Sequence, residues 1–360
     1  MWKQPDRKRI WMKKRKACLV TALMGAVMLL FAGCGAENKN TSVKEGMTAV
    51  KALDYDTALQ CFEQAMVNGE NQRLLYRGQG LAYMGQTKYD EAVTAFEKAL
   101  SCGNGQIDEV DYDINYYLAV AYGKLGQTDK SIDVYNAVIA MRPKEKQAYY
   151  LRGAMEAPGN FDAAKADFDK AVSLDREDFN QLIDIYLVLQ ENGYKEAGQE
   201  YLQTAVDSDS KAITDYERGR MYYYLEDYDN ARNYLEKARE TEGCEAVLFL
   251  GKTYETLGDF NYAVSVYTDY IDKDQTQPSV YNQLGLCKMK MNAYQEALTA
   301  FEDGMKVENN DLMQTLKLNE IIACEYLGEY QKAAVLMGNY LETYPDDETA
   351  AREYIFLKNR

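Results

Sequence analysis

Histidine is missing altogether from the 360 residues of this chain. Ser-His-Asp and Cys-His catalysis and HExxH zinc sites all need that residue, so these mechanisms are excluded. The phosphate-binding pattern GxxxxGK[ST] is also absent. These absences predict a protein that is not an enzyme and that holds neither a cofactor nor a metal.

Cysteine is present but scattered. The seven cysteines are Cys18, Cys34, Cys61, Cys102, Cys244, Cys287 and Cys324. They form no CxxC pair, which argues against zinc-finger and thioredoxin-like sites. We interpret Cys61, Cys287 and Cys324 as small buried hydrophobic residues on helices. The spacing leaves the alternative of a disulfide open, and with it the redox state of these cysteines and of Cys102 and Cys244.

The amino terminus combines a basic segment with an apolar one. Residues 1–15 are rich in Lys and Arg, and residues 17–36 carry no charge and include Phe31-Ala32-Gly33-Cys34. Small residues directly before a cysteine resemble the bacterial lipoprotein signal, which implies a signal peptide over residues 1–33, a lipidated Cys34 and a polar tether over residues 34–41. The alternative is an uncleaved signal-anchor helix. Both interpretations predict that the rest of the chain lies on the extracytoplasmic side of the bacterial cell membrane.

The chain beyond this signal is strongly acidic. Residues 1–33 hold eight of the 41 basic and one of the 57 acidic residues, so 33 basic and 56 acidic residues remain, a formal charge of −23. Such an excess argues against nucleic-acid binding and favours a basic partner.

An aromatic residue followed three positions later by alanine recurs along the chain. The copies are Tyr55/Ala58, Tyr89/Ala92, Phe161/Ala164, Tyr194/Ala197, Tyr228/Ala231, Phe260/Ala263, Tyr294/Ala297 and Tyr330/Ala333, with a degenerate copy at Thr128/Ser131. Successive copies lie 32 to 39 residues apart. Self-similarity at such a period predicts a repeat solenoid.

A small residue precedes most copies at a fixed distance. Glycine recurs in register, and because it costs about 1 kcal/mol inside a helix it predicts close helix–helix contact. The expected contact positions are Gly80, Ala119, Gly153, Gly219, Gly251 and Gly285. Together the two signatures resemble the tetratricopeptide repeat. That resemblance implies an all-α, right-handed superhelical solenoid of about nine helix-turn-helix pairs over residues 42–345, with a capping helix over residues 346–360.

The resemblance also implies a concave groove lined by one face of each first helix. The residues on that face that we single out as partner-binding are Arg77, Tyr116, Tyr150, Tyr216, Arg220, Tyr223, Lys252 and Asn282. The Lys and Asn pair with which related chaperone-binding proteins clamp a terminal carboxylate is missing. Aromatic side chains suit an extended peptide or a partner helix. The alternative is that several of these tyrosines only pack between neighbouring repeats.

An acidic insertion interrupts the spacing between the second and third repeats. It carries Asp108, Glu109, Asp111 and Asp113 but lacks the spacing of a calcium loop. We interpret it as a solvated loop that caps a helix.

The function that these features favour is a membrane-anchored, extracytoplasmic scaffold that binds a protein or peptide at the cell envelope. One form of it is an assembly factor. The alternative is a ligand-sensing or accessory subunit that binds a small envelope component in the groove.

Overall fold

The computed structural model describes residues 40–103 and 105–360, so the predicted signal segment and Cys34 lie outside the described residues. Within these ranges the chain forms nineteen α-helices and no strand. The helices are α1 (Thr41–Lys51), α2 (Tyr55–Val67), α3 (Gln72–Gly85), α4 (Tyr89–Ser101), α5 (Glu109–Lys124), α6 (Thr128–Met141), α7 (Lys146–Glu156), α8 (Phe161–Leu174), α9 (Phe179–Glu191), α10 (Lys195–Val206), α11 (Asp215–Tyr224), α12 (Tyr228–Ala238), α13 (Cys244–Leu257), α14 (Phe260–Ile271), α15 (Pro278–Lys290), α16 (Tyr294–Met305), α17 (Met313–Tyr326), α18 (Tyr330–Thr343) and α19 (Glu348–Leu357). No helix in the described ranges is long and apolar enough to span a membrane.

Short polar side chains begin many of these helices. Each accepts a hydrogen bond from a backbone N–H of the first turn, which would otherwise lack a partner. The capping residues are Asp54, Asn71, Asp108, Asn160, Asp178, Thr214, Asp227, Asp259 and Asp347. The polar residues in the links between helices, both within and between repeats, therefore determine where these helices start.

The helices pack in consecutive pairs within two compact units, one up to Val134 and one from Tyr135 onwards. In the first unit α1 packs on α2 and α3 on α4, and the first helices α1, α3 and α5 also contact one another in sequence. In the second unit the pairs run from α7 and α8 to α17 and α18, and α19 covers α18. The all-helical repeat fold is confirmed for the described part of the chain, with two packed pairs in the first unit, six in the second, and a terminal helix.

The recurring glycines lie against one large side chain of the second helix in the same pair. A Cβ atom added at Gly251 would lie 2.1 Å from the Tyr267 ring, closer than two carbon atoms can approach. The same relation joins Gly80 to Phe96, Gly153 to Phe168, Gly219 to Leu235 and Gly285 to Phe301. The predicted close contacts of these glycines are confirmed, and Ala119 is fully buried.

In the fifth pair the large residue lies on the first helix and the glycine on the second. Helix α9 carries Tyr186 where other first helices carry glycine, and a Cβ added at Gly198 of α10 would lie 3.1 Å from the Cα of Tyr186. Ala197, which the sequence pattern placed at the buried position, is only partly buried. The predicted register is therefore wrong by one residue here, because α10 begins at Lys195 and Tyr194 precedes it.

The acidic insertion caps α5, as the sequence predicted. Asp108 and Asp111 form a reciprocal capping box at its start. Arg73 of α3 donates to both Asp108 oxygens, at 2.8 and 2.6 Å, and lies 2.5 Å from Asp111. No group of side chains in residues 40–103 and 105–360 could hold a metal ion.

The terminal helix is less polar than a solvating cap requires. Asp347 caps α19 through the backbone N–H groups of Thr349 and Ala350, at 3.2 and 3.0 Å. Ile355 and Phe356, however, are 63% and 57% exposed. The last helix thus closes the array on its inner face and leaves an apolar edge outside.

Candidate site: an aromatic–cation cluster on the first helices

Two of the eight residues singled out from the sequence lie in the first unit. Arg77 of α3 forms an ion pair with Asp113 of α5, and both side chains are largely buried. Tyr116 of α5 is partly buried. Arg77 therefore serves to join two neighbouring first helices.

Tyr150 is not a surface residue. It is 6% exposed, and its ring lies 6.1 Å from that of Phe168. Burial raises the pKa of its hydroxyl, and the charge of Asp184 adds to that rise. Its predicted place in a binding groove is wrong, because α8 covers it.

Asn282 joins two helices near the other end of the second unit. Its side-chain oxygen accepts a hydrogen bond of 2.7 Å from Asn319 of α17. Its side-chain oxygen thus already accepts a hydrogen bond from another first helix.

The remaining four residues converge on α11 and α13, around a residue that the sequence analysis missed. Phe249 of α13 lies 6.2 Å from the ring of Tyr216 and 5.7 Å from that of Tyr223, both edge to face. The Arg220 guanidinium lies 5.0 Å from the Tyr216 ring and 5.5 Å from the Phe249 ring, and the Lys252 ammonium lies 5.6 Å from the latter. We call these five residues the aromatic–cation cluster. All five are partly buried.

The local sequence explains why these side chains share a face. Thr214 and Glu217 form a capping box that begins α11, and Gly219 turns toward Leu235 in the core. Tyr216, Arg220 and Tyr223 lie three before, one after and four after that glycine, so they project on another side of the helix. Phe249 escaped the sequence analysis because it lies two residues before Gly251, one position outside the pattern applied to the groove. Its spacing of three from Lys252 is the signal that could have found it.

The cluster is anchored by polar contacts around its edge. The Nη1 of Arg220 donates a hydrogen bond of 2.8 Å to Asn180 of α9, whereas its buried Nε has no hydrogen-bond partner in the described part of the chain. The Tyr216 hydroxyl donates to Glu245 at 3.4 Å. Burial raises the pKa of Tyr216 to about 12, so this hydroxyl stays protonated at neutral pH.

The arrangement suits the binding of a partner. Aromatic rings supply large contact areas at a small cost in conformational entropy, and a cation held over a ring is oriented before a partner arrives. Three first helices, α9, α11 and α13, contribute to one continuous face.

Comparisons with known families agree with this fold. The tetratricopeptide repeat model matches residues 43–107 and 116–178, and a model of anaphase-promoting complex (cyclosome) subunit 3 matches residues 225–304. A TPR repeat-containing protein of Methanocaldococcus jannaschii, MJ1428, is 23% identical over 256 residues, which cover 65% of this chain and 42% of that protein. The photosystem I assembly protein Ycf3 of Prochlorococcus marinus strain SARG is 28% identical over 113 residues, 29% of this chain and 64% of that protein. The chain thus spans less than two thirds of the length of these two relatives.

Solved structures show similarity at low identity. A tetratricopeptide repeat protein from Parabacteroides merdae is 16% identical, covers 80% of this chain and 99% of its own, and has a TM-score of 0.42. YrrB, described as a TPR protein with an unusual peptide-binding site, is 22% identical over 48% of this chain and 88% of its own, with a TM-score of 0.37. On the family match and the nineteen helices of its described residues, this chain is an all-helical repeat protein in which tetratricopeptide repeats are recognised over residues 43–107 and 116–178.

Proposed function

We propose that this chain is an extracytoplasmic scaffold, held at the membrane through a lipidated Cys34, that captures a protein or peptide segment on the aromatic–cation cluster. Tetratricopeptide repeat proteins generally mediate interactions between proteins. The observation that carries the proposal is the convergence of Tyr216, Tyr223 and Phe249 with two cations on a partly exposed face. A repeat that served only as a spacer would need no such group.

The acidic character of the chain supports the same proposal. A formal charge of −23 beyond residue 33 attracts basic partners and repels acidic ones over a Debye length of about 8–10 Å. The long-range field thus brings partners close, and the cluster supplies the short-range contacts.

The test compares what the protein captures with and without the two tyrosines. Tyr216→Ala combined with Tyr223→Ala removes most of the aromatic area while leaving the core glycine Gly219 in place. The matched control is Tyr262→Ala, since Tyr262 is 44% exposed on the second helix α14. Each full-length protein is cross-linked in its own membranes, purified, and its bound proteins are quantified by mass spectrometry.

We expect at least one bound protein to fall several-fold with the double variant and to be unchanged with the control. The helical circular dichroism signal and the melting temperature of both variants should stay close to those of the parent. Unchanged capture by the double variant would refute the site, and loss of the fold would show that these tyrosines belong to the core.

A further inference from the structure

Glu156, Asp184 and Glu320 are shielded carboxylates of the second unit that form no ion pair with the described residues, and Asp184 is the one on α9 beside the cluster. Other shielded carboxylates of this unit are paired. Asp167 is held by Arg152 at 2.6 Å, Asp178 by Lys146 at 2.7 Å, and Glu255 by Lys290 at 2.5 Å. Asp184 of α9 is partly buried as well, yet it makes no hydrogen bond and no ion pair within residues 40–103 and 105–360. A shielded charge without a partner costs free energy, so its persistence calls for an explanation.

Its position places Asp184 on the binding face. It lies one turn after Asn180, which accepts the hydrogen bond from Arg220, so both side chains lie on the same side of α9. The charged or titratable groups whose fields reach it are Tyr150 of α7, Asp178 before α9 and Arg220 of α11. Arg220 is directed to Asn180 rather than to Asp184, and this leaves the carboxylate open at the rim of the cluster.

We propose that Asp184 receives a lysine or arginine side chain of the captured segment, so that the partner is a peptide stretch with a basic residue next to apolar or aromatic ones. This inference rests on the proposed function, because it names the partner of the same face. The basic residue supplies a directly bound counter-charge, whereas Arg220 acts on Asp184 only through its field, and the rings of the cluster bind its apolar neighbours. The acidic excess of the whole chain attracts such a segment from a distance.

The protonation of Asp184 fits this role. Burial raises its pKa to about 6, the charge of Asp178 adds to the rise, and Arg220 opposes it. A bound cation would lower that pKa again, so binding releases a proton below pH 6. Affinity should therefore increase as the pH rises from 5 to 7 and then level off.

The test is a selection of random dodecapeptides displayed on phage against the full chain in mild detergent at pH 7.5. The same library is panned on Asp184→Asn, which keeps the shape of the side chain and removes its charge. Asp209→Asn is the matched control, because Asp209 is an exposed aspartate in the link before α11 and is not a member of the cluster. Selected peptides are then synthesised with lysine and with norleucine at the conserved basic position, and their affinities are measured by fluorescence anisotropy.

We expect a lysine or arginine at one fixed position in peptides selected by the parent and by Asp209→Asn, but not by Asp184→Asn. Norleucine should weaken binding to the parent at least fivefold and leave binding to Asp184→Asn unchanged. Only the parent and the control should lose affinity between pH 7 and pH 5. The melting temperature of Asp184→Asn at pH 7 should equal or exceed that of the parent, because a stabilising role would lower it.

Two outcomes would overturn the inference. One is that peptides selected by the parent and by Asp184→Asn have the same composition. The other is enrichment of Asp and Glu, which would indicate an acidic partner at Arg220. If the peptides selected in either of these two outcomes fail to bind the double variant Tyr216→Ala, Tyr223→Ala, the proposed function stands and only the role of Asp184 is refuted. Peptides that bind the double variant as well as the parent would refute both.

Discussion

At the scale of single residues, the repeat is held together by a glycine on one helix and a large side chain on the next. The ring of Tyr267 occupies the space that a side chain at position 251 would need. Because this ring ends in a hydroxyl, the seventh pair also needs an acceptor in the core. Glu255 supplies it at 2.7 Å and is itself paired with Lys290.

Gly251→Ala should therefore destabilise the protein even though alanine is the better helix former by about 1 kcal/mol. The Tyr267 ring is fully buried and tied to Glu255, so it cannot move aside. We expect a net loss of about 1–3 kcal/mol in the free energy of unfolding, measured by urea denaturation followed by circular dichroism. Gly159→Ala is the control, because nothing lies within 4 Å of an added Cβ there, and it should change stability by less than about 1 kcal/mol. Equal stabilities of the two variants would show that the close contact is not limiting.

At the scale of helices, polar links both start a helix and tie it to its neighbour. Asp108 caps α5 through the backbone N–H groups of Val110 and Asp111, at 2.9 and 3.2 Å, and also binds Arg73 of α3. The acidic insertion is thus a structural joint between two first helices, and the pairing of Arg77 with Asp113 repeats that joint one turn further along.

Asp108→Asn should weaken this joint in a pH-dependent way. The Arg73 guanidinium holds the pKa of Asp108 at about 2, below its ordinary value of 3.8. A lowered pKa in the folded state means that this stabilisation is complete above pH 4 and is lost as the pH falls toward 2. Asparagine keeps the capping oxygen, so the loss at pH 7 should be only about 0.2–1 kcal/mol, as for a solvent-screened ion pair.

Urea titrations at several pH values between 7 and 2.5 check this expectation. The difference between Asp108→Asn and the parent should shrink steadily below pH 4, while Asp209→Asn should show no such trend. A difference that stayed constant down to pH 2.5 would mean that the charge of Asp108 contributes nothing to stability.

At the scale of the whole molecule, the chain combines an acidic array of helices with a proposed attachment at its amino terminus. The tether before α1 is short, and seven extended residues reach at most about 25 Å. A lipid on Cys34 would therefore keep the first repeats near the membrane surface. Stable attachment needs two or more acyl chains, because one chain binds only marginally.

Cys34→Ala should abolish lipid attachment and leave an uncleaved precursor. Metabolic labelling with a radioactive or clickable fatty acid, followed by electrophoresis, measures both effects at once. Cys18→Ala is the matched control, since that cysteine lies in the predicted signal and should not carry the lipid. Absence of label on the unchanged protein would refute the lipoprotein hypothesis and favour the signal-anchor alternative.

The sequence by itself determined the helical repeat, because that fold depends on the sizes of residues at short, regular spacings. Gly251 and Tyr267 stand sixteen residues apart in one helix pair, and the same spacing marks Gly80 with Phe96. Such local complementarity is visible in a single chain. The prediction failed in the fifth pair. There the large residue, Tyr186, lies on the first helix and the small one, Gly198, on the second, so Ala197 is not at the buried position.

Only the tertiary structure decided which groove residues form a site. Tyr150 and Tyr216 hold the same position relative to their glycines, yet Tyr150 packs on Phe168 while Tyr216 stays partly exposed beside Phe249. That difference depends on side chains contributed by neighbouring helices, which no spacing within one helix encodes. Likewise, Asp184 has no hydrogen bond or ion pair with any described residue, since Arg220, 36 residues further along the chain, donates to Asn180 instead. Contacts between repeats, rather than the pattern within each repeat, create the candidate site.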